Sequence, residues 1–311
     1  MIELAVPLPD HSLTFPSFID YSREMPDMDA VTETRIPGLT RPALHSTAMH
    51  PRAIHATAIV APEAELGTGV RIGPYCTVGP DVVIEDGAEL VSHVVVDGHT
   101  HIGPGVVLYP FCTVGLAPQD LKYRGEPTRC EIGARTQIRE HCTIHRGTVT
   151  GKGITRIGSD CMLMAVAHVA HDCTLGDHVL VANNAVMGGH VSIADHAVIG
   201  GAAAIHQFVR IGRAAMIGGV SGVEADVIPF GSVIGNRARL AGLNVVGLKR
   251  RGFDKPQIQL LHTAFRTLFG HEGVFAQRLA ETRLRFRDDK LVAEILAFID
   301  APSHRGLIRA E

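Results

Sequence analysis

Aliphatic side chains recur at every sixth position over much of this chain. The pattern runs from Ile54 to Val114, resumes from Ile132 to Ile144, and continues from Ile157 to Val223, with Met187 as its one thioether member. Four positions after each of these residues stands a small side chain, as at Ala58. A six-residue unit with two inward positions predicts a short strand and a turn, and such units stack as a parallel β-helix.

Glycine directly follows the aliphatic residue in nearly half of the repeats, for example at Gly67, Gly73, Gly79 and Gly103. A glycine at one constant phase indicates either a backbone with positive φ or a close approach of another chain segment. Each hexapeptide is therefore predicted to end in a corner.

The pattern changes on both sides of the repeats. Residues 1–48 are rich in Pro, Ser, Thr and acidic residues, so we expect a disordered extension, and Met49 is a candidate initiator. From about Lys249 the apolar spacing becomes helical. The helical stripes are Leu260, Leu261, Ala264 and Leu268, and then Leu291, Ile295, Leu296 and Phe298. The predicted fold is mainly β, with a β-helix domain at 49–248 and a C-terminal helical domain at 249–311.

Two interruptions of the repeat are expected to project outward as loops, because a solenoid has no other place for extra residues. The first, at 116–129, carries Gln119, Asp120, Lys122 and Tyr123 and is a candidate binding loop. The second, at 147–155, is rich in Gly and Thr and is interpreted mainly as a flexible solvated loop.

Composition agrees with a layered fold and excludes several classes of protein. The chain has 311 residues, no Trp, 5% aromatic residues and 33 Gly, so small aliphatic side chains must fill a regular core. A net charge of −3 gives no reason to expect nucleic acid as a partner. No apolar run reaches membrane-spanning length and no secretory signal is present, so we expect a cytoplasmic protein that is not an integral membrane protein.

All six cysteines occupy the small inward position of the repeat, and no C-x-x-C pair is present. They are predicted to be buried, reduced side chains and not zinc ligands or redox pairs. The cysteines are Cys76, Cys112, Cys130, Cys142, Cys161 and Cys173.

Eighteen histidines are present, and the repeat gives their relative positions. If three hexapeptides form one coil, residues 18 apart stack, which places His190 over Asp172 and Gly189 over His171. A histidine beside a carboxylate is suited to remove a proton from a sugar hydroxyl, so His171 is the candidate general base. The backbone at Gly189 is a candidate donor to an oxyanion.

Other interpretations of the histidines stay open from the residues alone. His178 stacks with Asp160 and His196 by the same rule, so His171 could equally be a solvated surface residue. His168, His171 and His190 could bind zinc, although they lie at different phases of the repeat. No nucleophile elbow, phosphate-binding loop or dinucleotide fingerprint is present.

Seven strings, in order, resemble acyl-[acyl-carrier-protein]–UDP-N-acetylglucosamine O-acyltransferase, a family of hexapeptide-repeat enzymes that perform the first step of lipid A synthesis. The strings are Gln119–Tyr123, Gly125–Thr128, Ile144–Thr148, His168–Cys173, Leu180–Asn184, Ile205–Phe208 and Gly247–Phe253. The resemblance covers roughly residues 54–310. It implies a left-handed β-helix with three hexapeptides in each coil, a homotrimer with sites between subunits, and no metal or organic cofactor.

The resemblance also implies a role for individual residues. His171 would take the proton of the glucosamine 3-hydroxyl, which attacks the thioester of a 3-hydroxyacyl chain on acyl carrier protein. Asp172 would orient His171, Gly189 would supply the backbone donor, and Gly219 would limit the acyl length. The substrate UDP-N-acetylglucosamine would be bound by Asp120, Lys122, His168, His190, Gln207, Asn244, Arg250 and Arg251.

This sequence departs from the family pattern at Val246 and Arg237, where an acidic residue and a histidine are common, and in its N-terminal extension. Two related classes remain as alternatives. The N-acyltransferase of the same pathway would carry an N-terminal domain larger than residues 1–48. A γ-type carbonic anhydrase would bind zinc between subunits, so metal content distinguishes it.

Overall fold

The described part of the chain is a column of short parallel strands followed by four helices. The structure, a computed structural model, describes residues 54–310, so the predicted extension 1–48 and Met49 lie outside the described residues. Within residues 54–310, no helix has the length and apolar character needed to cross a membrane.

The strands are two to five residues long. The first nine are β1 (Ile59–Val60), β2 (Glu65–Leu66), β3 (Arg71–Ile72), β4 (Thr77–Val78), β5 (Val82–Ile84), β6 (Glu89–Leu90), β7 (Val95–Val96), β8 (His99–Ile102) and β9 (Val107–Leu108). The next nine are β10 (Thr113–Leu116), β11 (Arg129–Ile132), β12 (Gln137–Ile138), β13 (Thr143–His145), β14 (Ile154–Ile157), β15 (Met162–Leu163), β16 (His168–Val169), β17 (Thr174–Leu175) and β18 (Leu180–Val181). The last are β19 (Val186–Met187), β20 (Ser192–Ile193), β21 (Val198–Ile199), β22 (Ala204–Ile205), β23 (Arg210–Ile211), β24 (Met216–Ile217), β25 (Gly222–Val223), β26 (Gly231–Ile234) and β27 (Arg239–Leu243).

Up to β25, these strands form three sheets in which every third strand is a neighbour, as a left-handed parallel β-helix requires. Val169 pairs with Met187, and Met187 pairs with Ile205, so residues 18 apart stack. The predicted fold class and the predicted coil of three hexapeptides are both confirmed. Consecutive coils therefore repeat the same edge of the prism, and side chains at equal phase form columns.

The two inward positions of the hexapeptide fill the centre of the prism. Ile72 and Leu108 have no exposed surface, and neither do the small residues that follow them, Cys76 and Cys112. All six cysteines are free and buried, as predicted. Burial of this regular aliphatic column is the main stabilising contribution, at roughly 25 cal/mol for each Å² of apolar surface removed from water.

Most glycines after the aliphatic residues are required for close packing and not for positive φ; the exception is Gly115, at the first interruption, with φ 76°. A Cβ on Gly73 would lie 1.7 Å from the carbonyl oxygen of Val91, in the next coil. Positive φ occurs instead two residues later in the repeat, at the third position after the aliphatic residue, where Tyr75 has φ 58° and Asp172 has φ 60°. The sequence had left open whether the glycine serves positive φ or close packing. In the structure, the residue with positive φ at each corner is mostly not glycine.

The two interruptions lie at strand connections, as predicted. Val114 pairs with Ile144, 30 residues further on, because the first interruption lengthens that coil. Ile144 pairs with Val169, 25 residues on, because the second interruption lengthens the next coil. The coils on either side keep the 18-residue register.

The C-terminal segment caps the last coil. β27 is antiparallel to β26 and leads into the helices α1 (Val245–Arg250), α2 (Lys255–Phe269), α3 (Phe275–Arg285) and α4 (Lys290–Asp300). Asp254 and Gln257 form a capping box at the start of α2, which also has Pro in its first turn. The side chains of Leu261 and Ile295 join the same hydrophobic cluster as the β-helix core.

Candidate active site

His171 lies at a corner of the prism, two residues after the end of β16. Its side chain is 16% exposed and faces the rim, not the centre. Gly189 lies one coil further, and a Cβ there would be only 2.5 Å from the His171 ring. The glycine therefore leaves the space that the imidazole occupies, as the 18-residue stacking predicted.

Asp172 is the closest partner of His171. The Nδ1 atom of His171 lies 2.8 Å from Oδ2 of Asp172, whose side chain has no exposed surface. Because a carboxylate can only accept, Nδ1 donates the hydrogen and the Nε2 lone pair is left free. The pair thus presents a base with a defined tautomer.

The second interruption of the repeat surrounds this carboxylate with donors. Thr148 donates to Asp172 from its backbone N–H at 3.1 Å and from its hydroxyl at 2.6 Å. The backbone N–H groups of Lys152 and Gly153 donate at 2.8 and 3.1 Å. The segment interpreted from sequence as a flexible solvated loop is instead part of the site. The only sequence feature that could have indicated this role is that the segment lies one coil before Asp172.

The environment keeps Asp172 ionised. Burial by itself would raise the pKa of Asp172, but the hydrogen bonds from His171 and Thr148 outweigh burial, and the pKa falls to about 2. A permanent negative charge beside Nδ1 stabilises the imidazolium that forms when Nε2 accepts a proton. His171 is therefore equipped to act as a base.

The neighbouring histidines are held mainly in the neutral form. Burial lowers the pKa of His168, and the nearby His171 lowers it further. Burial also lowers the pKa of His190, although the negative charge of Asp172 opposes the shift. The pKa of His145 falls to about 4, first through burial and then through His168 and His171. When these histidines are neutral, fewer neighbouring positive charges repel a protonated His171.

Ring contacts fix the orientation of these histidines. The rings of His171 and His190 meet edge to face with centroids 5.0 Å apart, and His190 stacks on Phe208 at 4.4 Å. His168 Nδ1 lies 2.7 Å from the hydroxyl of Thr143, so its ring is also tethered. His171 and His190 therefore contact each other, whereas His168 contacts Thr143 and the ring of His145.

The histidines offer ligand atoms, but the surroundings do not suit a cation. In the described residues, atoms of His171, Asp172 and His190 lie within 4.8 Å of one another. However, both oxygens of Asp172 already accept hydrogen bonds from the 148–153 segment. With the hydroxyl of Thr148 and Nδ1 of His171 also bound to Oδ2, the lone pairs of this carboxylate are occupied, which favours a structural anion over a metal ligand.

The first interruption brings Asp120 close to the histidines. Arg146 N, next to His145, donates to Leu116 O at the start of this loop at 3.2 Å, and the ring of His145 lies 5.0 Å from that of His168. Asp120 Oδ1 accepts from the backbone N–H of Lys122 at 2.9 Å, and the Lys122 side chain is exposed. The candidate binding loop and the candidate base thus belong to one region of one chain.

Gln207 continues the column of His171 and Gly189 by one coil. Its backbone nitrogen would lie 3.0 Å from a Cβ on Gly188, and its carbonyl oxygen accepts from Arg305 Nε at 2.8 Å. Its side chain is exposed at the rim. Arg305, which also contacts His206, is a neighbour of this column that the sequence did not single out.

Other predicted site residues lie elsewhere in the chain. Asn244 is buried at the N-cap of α1, accepts from Gly247 N and donates to Ala214 O. Arg251 donates to the backbone of His196, on a different edge of the prism from His171. Arg250 is exposed at the end of α1. Within one chain, therefore, these residues are not part of the histidine cluster.

Gly219 and the two departures from the family pattern also lie apart from His171. Gly219 stacks on Gly201 in the column that follows β21 and β24, and a Cβ on it would lie 3.3 Å from Gly201 O. Arg237 pairs with Glu224 at 3.6 Å on an exposed surface. Val246 is exposed within α1.

A β-helix of hexapeptide repeats with a histidine–aspartate pair on its rim defines the class of hexapeptide-repeat transferases. The bacterial transferase hexapeptide model matches residues 63–98 and 154–189, and a model described as UDP N-acetylglucosamine O-acyltransferase, domain 2, matches residues 226–308. The chain belongs to the acyl-[acyl-carrier-protein]–UDP-N-acetylglucosamine O-acyltransferase family.

Individual relatives support this assignment. The chain is 52% identical to the acyltransferase of that name from Azorhizobium caulinodans over 250 residues, which are 80% of this chain and 92% of the relative. It is 46% identical to the one from Bartonella quintana over 80% of this chain and 90% of that one. The UDP-N-acetylglucosamine acyltransferase structure from Campylobacter jejuni matches with a TM-score of 0.78 and 37% identity, over 83% of this chain and all of that one.

Proposed function

We propose that this protein transfers a (R)-3-hydroxyacyl chain from acyl carrier protein to the 3-hydroxyl of UDP-N-acetylglucosamine, the first step of lipid A biosynthesis. In this proposal His171 is the general base that removes the proton of the 3-hydroxyl. The observation that carries this proposal is the contact of His171 Nδ1 with the buried, ionised Asp172. It leaves Nε2 as a base at the rim, next to the loop that carries Asp120.

The transfer needs one residue that acts first as a general base and then, in its protonated form, as a general acid. Nε2 of His171 accepts the proton as the sugar oxygen forms its bond to the thioester carbonyl carbon. When the tetrahedral intermediate collapses, the carbon–sulfur bond breaks, and the imidazolium returns the proton to the leaving thiolate. Asp172 stays ionised throughout, because its donors stabilise the carboxylate in both states.

The developing oxyanion requires a fixed donor, and we assign it to the Gly189 N–H. The amides on either side are used within the coils, since Gly188 N donates to Ile205 O and His190 N donates to His171 O. Gly189 itself lies against the His171 ring. A donor and a base at adjacent coils can act on the two reacting groups, the donor on the carbonyl oxygen and the base on the sugar hydroxyl that attacks the carbonyl carbon.

The sugar nucleotide is assigned to the residues that the family resemblance identified. Asp120 and Lys122 belong to the 116–129 loop, His168 and His190 belong to the coils that carry the base, and Gln207 lies one coil further. Asn244, Arg250, Arg251 and Gly219 lie on other edges, so they reach the substrate only from a second subunit. We therefore propose a homotrimer with sites between copies, located in the cytoplasm.

The proposed domain organisation assigns catalysis to the β-helix at 49–248 and a capping role to the helices at 249–311. No residue of the segment 1–48, which lies outside the described residues, is assigned to the site. A chain that starts at Met49 should retain the specific activity of the full chain.

The direct test is to incubate the purified protein with UDP-N-acetylglucosamine and a panel of acyl carrier protein thioesters. The expected product is the 3-O-acylated sugar nucleotide, formed from 3-hydroxyacyl donors. An N-acylated product from a 3-O-acylated, deacetylated acceptor would favour the related N-acyltransferase instead. Hydration of CO₂ by the purified protein, with bound zinc, would favour the carbonic anhydrase alternative.

A further inference from the structure

We infer that Arg146 is the positioning residue that holds the 116–129 loop, with Asp120 and Lys122, beside the catalytic histidines. This inference rests on the proposed function, in which that loop binds the sugar nucleotide. Arg146 directly follows β13 and precedes the segment that holds Asp172. Its side chain is largely buried, with 15% of its surface exposed.

The Arg146 guanidinium contacts the loop at two separate points. Nε donates to the Tyr123 hydroxyl at 2.9 Å, and Nη1 donates to Gly115 O, next to the start of the loop, at 3.1 Å. The guanidinium also lies 5.6 Å from the centre of the Tyr123 ring, within the range of a cation–π contact. Nη1 is 4.0 Å from the Asp97 carboxylate, which partly balances the charge.

The backbone of the same dipeptide contacts both ends of the loop. Arg146 N donates to Leu116 O at 3.2 Å, and Gly147 N donates to Arg129 O at 3.0 Å. The Arg146 side chain orders the interior of the loop. The Tyr123 hydroxyl accepts a hydrogen bond from Arg146 and donates one to Glu126 O at 2.7 Å. A loop tethered at both ends and in the middle has little freedom left around Tyr123.

Tyr123 directly follows the proposed binding residues. Lys122 N donates to Asp120 Oδ1, so the positions of Lys122 and Asp120 depend on the same turn. Thr148, two residues after Arg146, donates to Asp172. The chain from 146 to 153 thus contacts the binding loop at one end and the catalytic pair at the other.

A lysine cannot reproduce the contacts of Arg146. The guanidinium directs donors to Tyr123 and Gly115 in one plane and packs against a ring, whereas an ammonium is a point charge. Arg146→Lys keeps the positive charge and the long aliphatic part of the side chain. It removes the planar arrangement of hydrogen-bond donors and leaves the net charge unchanged. Tyr123→Phe removes only the hydroxyl between Arg146 and Glu126.

The experiment measures steady-state kinetics for Arg146→Lys and Tyr123→Phe in the full chain, varying each substrate separately. We expect KM for UDP-N-acetylglucosamine to rise about tenfold while kcat stays within about twofold, because lost loop order weakens substrate binding without touching the base. KM for the acyl donor should stay unchanged. Arg139→Lys is the matched control, since Arg139 stacks on Tyr109 and pairs with Glu140 away from the loop.

A double-mutant cycle with Lys122→Ala distinguishes positioning from a general structural effect. If Arg146 acts through the loop, Lys122→Ala should raise KM much less in the Arg146→Lys background than in the wild type. Equal effects in both backgrounds, or an unchanged KM in both single variants, would overturn the inference. Wild-type protein without transferase activity would instead contradict the proposed function.

Discussion

His171 and Asp172 are neighbours in sequence, yet their side chains meet, with Nδ1 2.8 Å from Oδ2. Adjacent residues in an extended strand point to opposite faces. Asp172 escapes this rule because its φ is 60°, in the left-handed region. The corner of the β-helix therefore creates the contact between base and carboxylate.

Replacing His171 by Ala should remove most of the transferase activity. Loss of a general base lowers kcat by roughly a hundredfold to ten-thousandfold, and the other imidazole near Asp172, that of His190, has its Nδ1 4.0 Å from Oδ2, too far for a hydrogen bond. Turnover of UDP-N-acetylglucosamine is the measurement, with circular dichroism to check folding. The matched control is His178→Ala, since His178 stacks on His196 at 4.8 Å on another edge. Near-normal kcat in His171→Ala would refute the assignment.

As the pH is lowered, the free energy of unfolding should decrease over two ranges. His145 contributes to the upper range and Asp172 to the lower one. The pKa of His145 is lowered to about 4 in the folded chain, so the unfolded chain binds the proton first, and stability is lost between about pH 6.5 and pH 4. The pKa of Asp172 is lowered to about 2, so its contribution of about 2 kcal/mol is lost between about pH 4 and pH 2.

Denaturant unfolding at a series of pH values measures both steps. His145→Gln should reduce, but not remove, the dependence between about pH 6.5 and pH 4, because His168 and His190 also have lowered pKa values, and it should leave the lower step. Asp172→Asn should flatten the lower step, and asparagine tolerates the positive φ at this position. If both variants kept the wild-type pH dependence, the two groups would not be the cause.

The two kinds of glycine in the repeat should respond differently to substitution. Gly73→Ala places a methyl group against Val91 O in the next coil, and we expect a loss of about 3 kcal/mol in the free energy of unfolding. Gly69→Asn places a side chain in open space at φ 71°, and Asn184 already adopts φ 60° at the same phase. That variant should lose less than about 1 kcal/mol. Equal losses in thermal or urea unfolding would be inconsistent with the packing argument.

Gly219→Met should shift the donor preference toward shorter acyl chains. A Cβ at Gly219 meets only Gly201 O at 3.3 Å, so the fold accepts a side chain that extends outward along this edge. Competition between acyl carrier protein thioesters of different length measures the effect, and Gly219→Ala should give a smaller shift. Ala134→Met, at the same phase on another edge, is the control. An unchanged preference would place the end of the acyl groove elsewhere.

Chelation should leave the transferase unaffected. Asp172 is saturated by donors from Thr148, Lys152 and Gly153, so we expect no catalytic role for a metal at the His171–His190 pair. Dialysis against EDTA, followed by measurement of kcat and metal content, is the test. Loss of activity that zinc restores, but magnesium does not, would favour the metal interpretation.

Residues inside the repeat could be located from the sequence alone. The six-residue period predicted the inward faces, the buried cysteines and the stacking of Gly189 on His171, because each coil repeats the same geometry. The 18-residue spacing from Asp172 to His190 needed only the number of hexapeptides in a coil. Family resemblance supplied that number and the chemical role of His171.

Residues at the interruptions could not be located in this way. Thr148 and Arg146 make their contacts through the two lengthened coils, where a repeat phase no longer gives a side chain its direction. Nothing in the period indicated that the 147–155 segment folds back onto Asp172. The flexible interpretation of that segment was wrong for this reason.

The sequence by itself determined the architecture of the chain, since a solenoid makes contacts only between neighbouring coils and its core follows from local periodicity. The tertiary structure decided which corner became a site. The donors Thr148, Lys152 and Gly153 lie 19 to 24 residues before Asp172 in the sequence, and only folding brings them to its carboxylate. Burial of that carboxylate, and with it the fixed orientation of the His171 ring, arises only when these segments meet.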